Sequence, residues 1–524
     1  MAVALAHDPA NIGLLHRTFV LALSGGDMDL AVTLAERVLQ GDPENQLAGL
    51  LLVLDDAERG DFAAAFDRLS TLEKDGAGRF IMPMIEGWLR AGLDDRAGAV
   101  AALEDLAGTP GFGPLAQLQR GLILDWMGDL EAARTAYEAA LGDGISLQLT
   151  MALGSLYERV GDDEAARALY ARYLTGNPDN LMLEPALQRM AEGDAEAPRP
   201  VVSPQQGIAE ALLQIASALT QEQASDLSLT YLRLALFLQP DSALAQVLLG
   251  DVLAGRGELE KSLAAYQSVP VDSPASWPAR LSAARTLDDL GRTDEAVALL
   301  TAMVQERPEH GDVYIALGDL HRRHERFEEA IAAYDEALER EPMLAETDWS
   351  FFYRRGIALE RAREWQRAEA DLQHAIELNP EHAHLLNYLG YSWIDRGENL
   401  VEAQAMIEKA VALMPEDGFI IDSLGWAYYR TGQTRKAVET LERAASLQPD
   451  DPIINDHLGD AYWTAGRREE AKFQWRRALG SAGPDERELI LSIESKLAHG
   501  LSKPGATGGA VTGGEAAMRE DKPE

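Results

Sequence analysis

AHLLNYLGYSWIDRGENLVEAQAMIEKAVALMP (Ala383–Pro415), GFIIDSLGWAYYRTGQTRKAVETLERAASLQP (Gly418–Pro449) and PIINDHLGDAYWTAGRREEAKFQWRRAL (Pro452–Leu479) agree with one another at fixed positions. Leu-Gly recurs as Leu389-Gly390, Leu424-Gly425 and Leu458-Gly459, and an aromatic residue follows each pair at Trp393, Tyr428 and Tyr462. A small residue opens the second half of each line at Ala403, Ala437 and Ala471, and another closes it at Ala410, Ala444 and Ala478. Ile421, Leu424, Gly425 and Tyr428 fall on one face of a helix. Gly425 leaves room for a second helix to approach, with Ala437 as its small counterpart. Gly432 ends the first helix and Pro449 stops the second. No such unit buries its apolar face alone, so stability comes from stacked neighbours.

A period of roughly 34 residues with this pattern resembles the tetratricopeptide repeat, a helix–turn–helix unit. The resemblance implies an all-α superhelical solenoid of about thirteen repeats whose work is to bind other proteins. From Ala209 the register holds well, with units closing at Pro240, Pro274, Pro308, Pro342 and Pro380. The earlier units are looser: Phe19 stands where glycine is expected, and the pattern sharpens at Pro114–Leu141 and Leu147–Pro178. Between them Glu192–Gln206 (EGDAEAPRPVVSPQQ) holds Pro198, Pro200 and Pro204 and cannot be helical throughout. The expected organisation is a degenerate array over 1–191, a proline-rich joint over 192–206 and a second array over 207–483. A capping helix follows over 484–502, built on Leu489, Ile490, Ile493 and Leu497, and then a disordered tail over 503–524. A loop crossing one convex surface is the alternative reading of 192–206.

Composition narrows the function. The 524 residues carry a formal net charge of -39, which argues against nucleic-acid binding. A solvated acidic surface explains that charge, and a basic partner is the sharper alternative. There is no cysteine, and no run of about 18 apolar residues that would span a membrane. In repeat register Ala4 and Pro9 fall where second helices close, so Met1 sits inside a repeat. The expectation is that upstream codons encode the missing helix and an export signal. Membrane tethering would need a lipoprotein signal there; as written, the chain reads as cytoplasmic. A start truncated in this way would instead place it in the periplasm or at the outer membrane.

Catalytic signatures are absent: no G-x-S-x-G, H-E-x-x-H or G-x-x-x-x-G-K-[ST] occurs, and the chain reads as no enzyme, with no cofactor. His310, His321 and His324, and the pair His382 and His384, are better explained by packing and loops than by metal. The informative face is the other side of each first helix. Phe419, Asp422, Trp426 and Tyr429 form a stripe about 130° from the Gly425 seam. In the tetratricopeptide fold that side lines the concave groove. The matching residues are Asn387 and Tyr391 one unit earlier, and Asp456 and Trp463 one unit later. Rings beside a polar ladder suit an extended peptide, with the ladder bonding its backbone. The plainer reading is that these rings fill space between neighbouring first helices. At Ile315, Tyr353, Asn387 and Asp422 the basic character of co-chaperone carboxylate clamps is lacking.

A narrower likeness lies in LNYLGYSWIDRGENLVEAQAMIEKA, IIDSLGWAYYRTGQ and HLGDAYWTAGRREEAKFQWRRAL. These lines look like the C-terminal repeats of large bacterial envelope proteins of this class, some of them lipoprotein adaptors for carboxyl-terminal processing peptidases. That likeness implies an adaptor that binds such a peptidase and helps deliver its substrates. A cytoplasmic assembly scaffold, or the regulatory array of an enzyme complex, is the alternative.

Overall fold

A computed structural model describes Leu5 and residues 11–73, 76, 78–142, 145–177, 180–193, 196–222, 224–484 and 486–501. The readings of Ala4, Pro9 and the 503–524 tail lie outside the described residues. The described chain is all helix and turn, with no strand. Its contacts divide it into two units, Met1–Leu300 and Thr301–Glu524.

Both units are stacks of antiparallel helix pairs. In the second, Gly418–Arg430 pairs with Thr434–Leu447, and Pro452–Thr464 with Arg468–Ser481. The local causes are those the repeat supplies. Asp417 caps the first of these helices by accepting from the backbone N–H of Phe419 at 2.8 Å and of Ile420 at 2.9 Å. Gly432, at φ 74°, turns the chain into the second helix.

The seam is closer than the small-residue pattern conveys. A Cβ on Gly425 would lie 2.5 Å from Cγ of Leu441, and one on Gly459 would lie 2.4 Å from the Trp475 indole. Gly121, Gly154, Gly250 and Gly318 meet Tyr137, Tyr170, Tyr266 and Tyr334 in the same way. Each first-helix glycine is thus a socket for a large side chain of the second helix. Ala437, the expected counterpart, is fully buried beside it.

The first unit contains a return that the sequence does not announce. Helix Pro204–Gln221 packs against helix Gly78–Gly92, and Ser225–Leu238 packs against Ile12–Gly25 and Gln46–Glu58. Gly207 makes this possible, since a Cβ there would lie 2.2 Å from the Trp88 indole. Arg233 fixes the far end by donating to the Ser24 carbonyl at 3.1 Å. The proline-rich segment therefore lies inside the first unit, which runs to Leu300. Residues 196–203 are not helical and helix resumes at Pro204, while Ala197 and Val201 are buried, and the Pro198 carbonyl accepts from Ser155 Oγ at 2.5 Å. Sequence periodicity sees the break in helix and not the long-range contacts that anchor it.

Candidate functional site: the inner face of the second unit

Helices Ala383–Arg396, Gly418–Arg430 and Pro452–Thr464 carry the eight residues expected to line a groove. Their environments divide them. Phe419, Trp426, Tyr429 and Trp463 are half-buried and keep part of each ring open. Asn387, Tyr391, Asp422 and Asp456 are buried, at 3%, 5%, 1% and 6% exposure.

The carboxylates of the expected ladder are engaged within the chain. Asp422 lies 2.9 Å from Nδ1 of His457, on the next first helix. Burial opposes protonation of that imidazole, but the Asp422 charge and hydrogen bond prevail and its pKa is raised. The Trp426 indole stacks on the same imidazole at 4.1 Å and 16°, and on Tyr429 at 4.9 Å and 19°. Trp426 thus does part of what the plainer reading asks, bridging two first helices.

One step further along, Asp456 and Asp460 share the ammonium of Lys496, at 2.6 and 2.9 Å. Lys496 belongs to the last helix, Arg487–His499, whose Leu489 and Ile493 are buried against the final pair. Gly500 closes over Trp463, where a Cβ would lie 2.1 Å from the ring. Trp463 also packs on Trp475 at 5.3 Å. The C-terminal end of the face is therefore covered by the chain itself. Reading each helix as a separate stripe could not reveal Lys496 or His457, whose partners lie on other helices.

Three polar atoms on this face remain buried without a hydrogen-bond partner: Asn387 Oδ1, Trp426 Nε1 and Asp456 Oδ1. Such atoms typically cost about 1–3 kcal/mol each, so they mark a face whose polar groups are unsaturated. All three atoms are closed to solvent. Among the described residues no group of three or more His, Asp or Glu could hold a metal ion. Nor is any described helix long and apolar enough to cross a membrane.

Helix pairs and glycine sockets of this kind make an all-α solenoid of the tetratricopeptide type. Residues 118–180 and 212–276 match the tetratricopeptide repeat profile, and 267–492 match that of the cilia and flagella-associated protein 70 C-terminal domain. Among characterised proteins, the human protein O-mannosyl-transferase TMTC1 is 27% identical over 135 residues, covering 26% of this chain and 15% of that protein. A TPR repeat-containing protein of Pseudomonas aeruginosa is 30% identical over 120 residues, 23% of this chain and 20% of its own. The chain thus spans a fifth or less of each relative's length. Among solved structures, the APC/C hetero-tetramer Cut9–Hcn1 aligns over 92% of this chain and 96% of its own, at 17% identity and TM-score 0.41. YrrB, described as a TPR protein with an unusual peptide-binding site, aligns over 37% of this chain and 97% of its own, at 20% identity and TM-score 0.30.

Proposed function

We propose that this protein is a non-enzymatic scaffold whose second unit takes an extended segment of a partner protein along the face from Asn387 to Tyr429. The observation that carries this reading is the set of half-buried rings on that face, Phe419, Trp426 and Tyr429. Phe419, Trp426 and Tyr429 supply apolar area for the partner's side chains. The Lys496 bridge sets the C-terminal limit of the face, because Asp456 and Asp460 already hold a cation there. The net charge of -39 favours a partner with basic residues flanking the bound segment.

Quantitative affinity isolation with the full chain and with Trp426→Ala tests this reading. That substitution removes the largest of the three rings. Weaker capture by the variant of proteins held by the wild type is expected; identical capture would count against it. The finer reading, an adaptor for a carboxyl-terminal processing peptidase in a bacterial envelope, is supported by the likeness of the repeats from Leu386 to Leu479. Titration of the purified chain with such a peptidase addresses it directly, and absence of saturable binding would remove that partner while leaving the scaffold reading in place.

A further inference from the structure

The first unit contains a cavity of about 330 Å³ that periodicity gave no reason to expect. Its walls are apolar, with Leu118, Leu122, Met151, Leu183, Val201 and Leu244 prominent, and Pro198 and Pro200 of the extended segment form part of its boundary. Its charged groups are Arg189, Arg199 and Glu210. Arg189 is engaged, donating to Glu158 at 3.3 Å. Arg199 is exposed.

Glu210 differs, because an ordered chain of hydrogen bonds ends on it. Trp88 Nε1 donates to Gln119 Oε1 at 2.7 Å, Gln119 Nε2 to Gln214 Oε1 at 3.0 Å, and Gln214 Nε2 to Glu210 Oε1 at 3.0 Å. Trp88 and Gln119 are fully buried. Every donor in the chain points towards the carboxylate, so each bond polarises the next and negative charge is favoured at its end. Glu210 itself is half-buried, and that burial nevertheless raises its carboxyl from its ordinary value, with the Gln214 bond opposing. Among the described residues Glu210 makes no ion pair. A half-buried carboxylate that accepts from one side chain, Gln214, and lines an apolar cavity has no cation from the described chain.

We propose that this cavity is a binding site for a ligand with a protonated amine on an apolar body, the ammonium pairing with Glu210 and the body filling the space between Leu118, Met151 and Leu183. Charge complementarity selects the ammonium, and the walls select a hydrocarbon over a polyol. The site lies in the first unit and is independent of the peptide-binding face of the second. An alkanol of equal length is the matched control, since it fills the same space without a charge.

The test uses the full chain with hexylamine and hexanol as probes, followed by calorimetry and by the methyl NMR signals of Met151 and Met182, both of which line the cavity. Hexylamine is expected to shift both methyls saturably and to bind more tightly than hexanol. Glu210→Gln, which preserves shape and can still accept from Gln214, is expected to weaken hexylamine by about tenfold to a hundredfold and to leave hexanol unchanged. Methyl signals of the wild type that do not respond to hexylamine would overturn the proposal whether or not the variant folds. Equal affinity of hexylamine for wild type and Glu210→Gln would also overturn it, because the carboxylate would then play no part.

Discussion

Lys496 and Asp456 lie 40 positions apart in sequence and 2.6 Å apart in space, the ammonium of the last helix donating into the inner face of the last repeat. Both are largely withdrawn from water, with side-chain exposures of 16% and 9%. The same ammonium reaches Asp460 at 2.9 Å, so one cation holds two carboxylates. The final helix is thereby more than an apolar lid over Leu458 and Trp475.

Removing that cation leaves two buried carboxylates facing each other. Lys496→Met is expected to destabilise the second unit by roughly 3–5 kcal/mol. Adding Asp456→Leu and Asp460→Leu to it should recover much of the loss, because no uncompensated charge remains. Urea unfolding of the three proteins measures this, and a Lys496→Met variant as stable as the wild type would contradict the bridge.

Two groups at this end make stability depend on pH with the same sign. Burial and the Asp456 charge raise the Asp460 carboxyl from 3.8 to about 6, with Lys496 opposing. The folded state therefore holds the Asp460 proton more tightly than the unfolded chain. That contribution is complete below 3.8 and is lost as pH rises through about 6. For His457, burial is outweighed by Asp422; its contribution is present below the unfolded value of 6.5 and is lost as pH rises through the raised folded value. Lys496 stays protonated throughout, its pKa being raised further. The second unit should thus melt several degrees higher near pH 5 than at pH 8, at about 2–4 °C per kcal/mol. Asp460→Asn should flatten the change below pH 6 and His457→Gln the change above it. Melting curves that keep the wild-type pH dependence in both variants would assign it to other groups.

The glycine sockets give a prediction with its own control. Gly459→Ala places a methyl 2.4 Å from the Trp475 indole and is expected to cost about 1–3 kcal/mol. Gly480→Ala, at the end of the second helix, meets nothing within 4 Å and should be neutral or stabilise by up to about 1 kcal/mol. Chemical denaturation of the pair checks both; equal effects would mean that the seam yields freely.

The repeat was legible because its signal is local and recurs: Leu-Gly, a following aromatic, small residues and a closing proline lie within one helix pair. The inner face was legible as a direction, since 3.6-residue periodicity separates Trp426 from Leu424 without any knowledge of neighbours. Its chemistry was not, because Asp422 is answered by His457 and Asp456 by Lys496, from other helices. The return of Pro204–Leu238 onto the first helices depends on Gly207 meeting Trp88, a contact between distant segments that no repeat register encodes. For the same reason the line of side chains ending at Glu210 has no sequence signature. Its members come from three helices and only their packing aligns them.

Trp463 and Trp426, alike as members of one stripe, should now behave differently. Trp463 packs on Trp475 and under Gly500, so Trp463→Ala is expected to act mainly on stability, by about 3–5 kcal/mol. Thermal melts would show this, and a melting temperature like that of the wild type would mean that the last helix does not seal the ring.

On the proposed function, the partly open rings between Asn387 and Tyr429 hold a partner. The most direct measurement is a paired one on Trp426→Ala with Tyr429→Ala. It combines a thermal melt of the variant with its titration against the protein that the wild-type chain captures most abundantly. The expected result is an affinity loss of roughly 2–4 kcal/mol, with a smaller loss of stability. A large fall in melting temperature with unchanged affinity would contradict the claim and make these rings spacers between first helices.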